Sequence, residues 1–193
     1  MTKNARSELW NLPNALTMLR IAIVPVFVVV ALAYPVDIGG RIAATLLFVA
    51  AMATDYFDGR IARARGLITD FGKVMDPLAD KAITGAALII LSVWAYIPWW
   101  ITVLILVREI GITIMRFTIL RYGALPANFS GKAKTMVQSV ALTYCLLPFE
   151  VVWPAASYLG VALMLVALVL TLWSGWLNVR DGMALRREAL AKS

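Results

Sequence analysis

Apolar stretches long enough to cross a bilayer recur along nearly the whole chain, separated only by short polar segments. A helix spanning the roughly 30 Å hydrocarbon layer needs about 20 mostly apolar residues. Six segments qualify, at about 14 to 33, 40 to 63, 73 to 93, 97 to 120, 132 to 149 and 153 to 178. Of 193 residues 62% are hydrophobic and the mean hydropathy is +0.83, outside the range of a soluble domain. The expected fold is all-α: a polytopic membrane protein of six transmembrane helices, forming one domain over residues 1–193. Thr2 to Leu12, with Leu9, Trp10 and Leu12 among polar residues, suits either a short interfacial helix or an irregular tail. The first apolar run is as long as a full span, contains Arg20 and offers no persuasive cleavage site, so it is expected to be the first helix and not a signal peptide.

The basic residues orient these spans. Lys3 and Arg6 precede the first. Arg60, Arg63, Arg65 and Lys73 fall between the second and third, and Arg121, Lys132 and Lys134 between the fourth and fifth. Arg180, Arg186, Arg187 and Lys192 follow the sixth, while the opposite edge has only Arg41. Both termini are therefore expected in the cytoplasm, with the chain multi-pass in the inner (cytoplasmic) cell membrane. The net charge of +7 follows this edge, so it points to topology and anionic headgroups and not to nucleic acid. A single cysteine, Cys145, and the absence of histidine exclude an intramolecular disulfide, soft-ligand metal sites and a histidine base.

One cytoplasmic connection interrupts this apolar pattern with carboxylates. The segment DYFDGRIARARGLITDFGKVMDPLAD places Asp55 and Asp58 three apart, and Asp76 and Asp80 four apart. On helices each pair projects from one face, about one turn apart. Four such charges brought together cannot all stay ionised without counter-charge. All-oxygen ligation by aspartate favours Mg2+ or Mn2+. Gly59 leaves room for a close ligand approach, Ala62 keeps the next turn clear, Arg63 can present a fork of donors to a phosphate, and Gly72 allows close helix packing. Asp70 is more simply a helix cap or a solvated residue. A purely structural salt-bridge network would account for two acids at a membrane edge, but poorly for four at paired helical spacings.

The pattern D-x2-D-G-x2-A-R-x8-G-x3-D-x3-D closely resembles the signature of the CDP-alcohol phosphotransferases, and all eight specified positions are present across 26 residues. The resemblance implies a membrane enzyme of six helices, often a homodimer, that transfers a phosphatidyl or similar group from a CDP-linked donor to an alcohol and releases CMP. It further implies that Asp55, Asp58, Asp76 and Asp80 hold two Mg2+ (or Mn2+) ions, with Asp80 as proton acceptor. Gly59, Arg63 and Thr69 would contact the cytidine diphosphate of the donor, alongside Asp58 and Gly72.

Further clusters bear on the two substrates. Asn14 and Thr17 open the first helix, as a cap and first-turn pair or as donor-binding residues; Arg20 lies inside the span, where a guanidinium needs a partner or a polar cavity. In VREIGITIMR, Arg108 and Arg116 share nearly one helix face, whereas Arg108 and Glu109 are adjacent and are not expected to form a simple ion pair. In SGKAKT, Lys132 and Lys134 open the fifth helix, either as a phosphate site or as interfacial anchors. Arg20, Arg108, Arg116, Lys132 and Lys134 together exceed what a metal-bound diphosphate needs, so an acceptor that itself carries a phosphate is expected. The segments NLPNALTMLRI, VREI and SGKAKT are similar to those of family members that pair CDP-diacylglycerol with sn-glycerol 3-phosphate. Cardiolipin synthesis from phosphatidylglycerol, or an inositol phosphate or serine acceptor, is the alternative within the family. An ion-coupled transporter is the alternative outside it, although its acids would more often lie near the midplane on broken helices.

Overall fold

The computed structural model describes the backbone of residues 12–65, 70–119 and 129–191, and the side chains within them outside 12–13, 55–74, 76–77, 116–117, 129–130, 132 and 188–191. Every regular element among the described residues is helical: α1 (Leu12–Ala33), α2 (Ile38–Arg65), α3 (Asp70–Val93), α4 (Trp99–Ile119), α5 (Phe129–Leu146), the single turn α6 (Phe149–Val152) and α7 (Ala156–Ala191). Residues 1–11, with the expected N-terminal interfacial segment, lie outside the described residues.

α1 packs on α2 and α3, α7 packs on α4 and α5, and α5 bridges the halves through α2 and α3. The core runs along these seams, with Phe27 and Phe48 6.1 Å apart between ring centroids across α1 and α2. Ile83, Leu91, Ile105, Leu142, Leu146 and Met164 are buried alongside them. The outward faces are apolar too: Val29, Leu46, Val107, Val140, Val166 and Val169 are all exposed. Helices apolar on both faces suit a bundle set in lipid. α1 over Asn14–Ala33 and α7 over Ala156–Arg187 are long and apolar enough to cross a membrane. The described apolar stretch of α2, Ile38–Thr54, is shorter. The interiors of α3 and α4 carry Asp76, Asp80 and Lys81, and Arg108, Glu109 and Arg116, the groups that lower their apolarity.

Two boundaries differ from the sequence expectation. The fifth helix ends at Leu146, short of 149, and a separate turn follows because Pro148 and Pro154 bracket Phe149–Val152. The last helix runs to Ala191 and not to about 178. Beyond Trp176 the chain turns polar, yet Met183, Ala184, Leu185, Arg186 and Arg187 are strong helix formers, so the helix outlasts its apolar stretch.

The end of the bundle away from the acidic segment is fastened by short-range devices. Asp37 caps α2 by accepting from the Gly40 amide at 2.6 Å. α3 closes with Tyr96 N bonded to Leu91 O at 2.9 Å and Ala95 N to Ser92 O at 3.0 Å, with Ala95 left-handed at φ 56°. Across that turn the Thr102 hydroxyl donates to Leu88 O at 3.2 Å and lies 2.7 Å from the Ser92 hydroxyl. Arg41 is the centre of this end. Its Nε donates to Leu146 O at 3.3 Å, its Nη2 to Cys145 O and Leu147 O at 3.2 Å, and its Nη1 pairs with Glu150. Its guanidinium also lies 5.0 Å from the Trp94 ring centroid. One side chain thereby caps the carbonyl end of α5 and joins α2, α6 and the α3–α4 turn.

Arg41→Ala would strand the Glu150 charge and three carbonyls, at a cost of about 3 kcal/mol or more. A drop of several degrees in Tm is expected for the detergent-purified protein, only partly recovered by Arg41→Lys, whose single ammonium cannot replace the fork of donors.

Candidate active site

Both carboxylate pairs fall within helices, as their spacing predicts: Asp55 and Asp58 in α2, Asp76 and Asp80 in α3. α2 and α3 pack together and both lie against or beside α1. The side chains of Asp55, Asp58, Gly59, Arg63, Gly72, Asp76, Arg116 and Lys132 lie outside the described residues, as does all of Thr69. The described part of the site is carried by Asn14, Thr17, Arg20, Asp80, Arg108, Glu109 and Lys134.

Asn14, Thr17 and Arg20 recur at intervals of three on α1 and are all buried, on the same face as Phe27 and Ala31 farther along. Arg20 Nε donates to Thr54 Oγ1 at 3.5 Å. Thr54 directly precedes Asp55, so this guanidinium stands at the entrance to the acidic segment. The expectation that Arg20 faces a polar partner is met by that bond.

A narrow cleft between α3, α4 and α5 is lined by Asp80, Thr84, Glu109, Lys134, Thr135, Gln138 and Ser139. Helical spacing builds it: Asp80 and Thr84 are one turn apart on α3, and Lys134 with Gln138 and Thr135 with Ser139 form neighbouring rows on α5. Most hydroxyls here turn back onto their own helix. Thr84 donates to Asp80 O at 2.9 Å, Thr135 to Gly131 O at 3.1 Å, and Ser139 to Thr135 O at 2.9 Å. The groups left to meet a ligand are the charged ones and Gln138, whose Oε1 is buried without a hydrogen-bond partner. Asp80 Oδ1 is likewise buried and unpartnered. A carboxyl oxygen so placed is free to meet a cation or a proton, which fits a metal ligand or a general base.

Lys134 Nζ pairs with Glu109 Oε1, and Arg108 Nη1 lies 3.5 Å from the same oxygen. The expectation that Arg108 and Glu109 would not pair is thus corrected. Their helix positions diverge, but both side chains are long enough to curl towards a common point, which Lys134 of α5 supplies. The Arg108 stem crosses to α7: a Cβ on Gly175 would come within 2.9 Å of Arg108 Nε and 3.2 Å of its Cγ. Gly175 thus makes the room that this side chain occupies. Beside it lies a polar stripe in an otherwise apolar helix, with Thr171, Ser174 and Asn178 all buried. Sequence reasoning overlooked Gln138, Thr171, Ser174, Gly175 and Asn178. The legible signal was polar or small residues at helical intervals inside an apolar span, and Gln138 four residues beyond Lys134.

The family model for CDP-alcohol phosphatidyltransferase matches residues 10–173. A probable phosphatidylglycerophosphate synthase of Mycobacterium tuberculosis is 44% identical over 175 residues, covering 88% of this chain and 80% of that protein. The CDP-diacylglycerol--glycerol-3-phosphate 3-phosphatidyltransferase of Bacillus subtilis is 39% identical over 183 residues, covering 87% of this chain and 93% of that protein. The Escherichia coli protein of the same name is 38% identical over 171 residues, covering 86% and 91%. With its helical bundle, its acidic motif and a match spanning most of its length, this chain belongs to the CDP-alcohol phosphatidyltransferase family.

Proposed function

We infer that the chain transfers the phosphatidyl group of CDP-diacylglycerol to sn-glycerol 3-phosphate, giving phosphatidylglycerophosphate and CMP. The observation that carries this is a cleft lined by Asp80, whose Oδ1 has no hydrogen-bond partner, and by Lys134, with Arg108 reaching the same Glu109 oxygen as Lys134. A carboxylate that can take a proton, next to cations that can hold a phosphate, suits an acceptor bearing both a hydroxyl and a phosphate. The names of the relatives in Bacillus subtilis and Escherichia coli specify that same pairing of donor and acceptor.

In this reading Lys134 and Arg108, with Arg116, Lys132 and Arg20, hold the acceptor phosphate, and Asp80 takes the proton of the attacking hydroxyl. The new P–O bond forms as the bond to CMP breaks. Asn14, Thr17, Asp58, Gly59, Arg63, Thr69 and Gly72 bind the donor. Asp55, Asp58, Asp76 and Asp80 would hold two divalent ions, Mg2+ or Mn2+; the unpartnered Asp80 oxygen supports that donor set. Such ions neutralise the phosphate oxygens and stabilise the departing CMP. The bundle sits as six spans in the inner membrane, as a homodimer, with both termini and the cleft at the cytoplasmic edge. The pairing of Arg41 with Glu150 supports this orientation, since the basic residue expected at the opposite edge is buried and neutralised.

CMP release from CDP-diacylglycerol tests the reaction. It is expected with sn-glycerol 3-phosphate and not with phosphatidylglycerol, serine or inositol phosphate, and is abolished by EDTA. Asp80→Asn should lower kcat by about 100-fold or more. Release with a different acceptor would keep the acidic centre and overturn the assignment of the cations. Gly175→Val should displace Arg108 and raise the KM for sn-glycerol 3-phosphate about tenfold, the loss expected for a charged hydrogen bond, while the KM for CDP-diacylglycerol stays near its original value.

A further inference from the structure

The cleft that would receive a phosphate already contains an anion of its own. Glu109 Oε1 accepts from Lys134 Nζ and lies 3.5 Å from Arg108 Nη1, so one oxygen occupies the point where the two cations converge. We propose that Glu109 is a displaceable counter-ion: it stands in for the acceptor's phosphate in the empty site and yields Lys134 and Arg108 when that phosphate arrives. The proposal rests on the reading that these cations bind the acceptor.

Three observations support it. The side chains of Arg108, Glu109 and Lys134 are 12%, 15% and 9% exposed, so the charges are sheltered and need compensation when no ligand is bound. Glu109 nonetheless lines the cleft and is the most exposed of the three, so its carboxylate is the group best placed to turn aside. Charge points the same way. A phosphate dianion arriving at the convergence point would meet the Glu109 carboxylate at close range. Removing Glu109 from that point relieves the repulsion and gives the dianion both donors.

The arrangement makes Glu109 a specificity-determining residue. An uncharged alcohol, or a zwitterion such as serine, offers too little negative charge to replace a carboxylate between two cations. A phosphate dianion exchanges one anion for a stronger one. The site therefore rejects acceptors without a phosphate by leaving its cations already engaged.

The test uses the full chain in detergent, comparing the unaltered protein with Glu109→Gln, Glu109→Asp and Lys134→Ala. In Glu109→Gln the competing charge is gone, so the KM for sn-glycerol 3-phosphate should fall roughly fivefold. Its Tm in phosphate-free buffer should drop, and added inorganic phosphate should raise that Tm by more than it raises that of the unaltered protein. A purely structural ion pair predicts the reverse: a lower Tm that phosphate does not restore, and a KM equal to or above the original. That result overturns the proposal. Glu109→Asp retains the charge and guards against a misfolded Gln variant; its shorter carboxylate should loosen the pair and lower KM by a smaller factor, and a raised KM counts against displacement. Lys134→Ala separates the two levels of inference. An unchanged acceptor KM there would overturn the acceptor site itself, whereas a raised KM alongside a raised KM in Glu109→Gln would overturn the counter-ion alone.

Discussion

Charge inside an apolar bundle has to be compensated within the bundle, because neither lipid nor packed hydrocarbon solvates it. This chain meets that requirement at both ends, for different purposes. At the end away from the acidic segment, Arg41 is saturated by Glu150, three carbonyls and the face of Trp94. It acts as a fixed brace. At the other end Lys134 and Arg108 share one carboxylate oxygen beside an open cleft, and Asp80 and Gln138 retain buried oxygens without protein partners.

The division of labour among the polar groups follows from their reach. Short hydroxyl side chains on a helix bond to the carbonyl one turn back, as Thr84, Thr113, Thr135 and Ser139 do. Thr84, Thr135 and Ser139 line the cleft without being available to define it. Long side chains escape their own helix, and those of Arg108, Glu109 and Lys134 converge from α4 and α5. The transfer chemistry asks the same of these groups: anions must be held and a proton removed, with little covalent work by the protein itself.

Much of the fold was legible because its dominant signal, runs of apolar residues bounded by proline, glycine and charge, maps directly onto helices. α1 to α4 fall within a few residues of the expected spans. The errors came where apolarity and helicity part company: Pro148 and Pro154 cut out a turn that hydropathy alone merges with its neighbours, and α7 continues helical after it ceases to be apolar. The acidic motif was legible for another reason, since four carboxylates at paired helical intervals are costly to keep without a ligand. The cation cluster was only half legible. Sequence shows which residues are basic, but the position of Glu109 between Lys134 and Arg108 depends on how α4 and α5 are rotated about their axes, and adjacency in sequence argued against that contact. Gly175 and the stripe of Thr171, Ser174 and Asn178 depend on the same unseen rotation.

That rotation is itself set by steric means. Along α7, Gly160, Gly175 and Gly182 each face a side chain from α4 or the turn before it: a Cβ would come within 2.8 Å of Tyr96, 2.9 Å of Arg108 and 2.7 Å of Ile119, respectively. The order of these contacts rises along both helices, so α4 and α7 run parallel with three protrusions seated in three gaps. Turning α4 about its axis, or sliding it along α7, would unseat Arg108 and Ile119 from the gaps at Gly175 and Gly182. The direction in which Arg108 leaves its helix is thus keyed mechanically, like a shaft in a slot, and the entropy of aiming that guanidinium is spent when the chain folds.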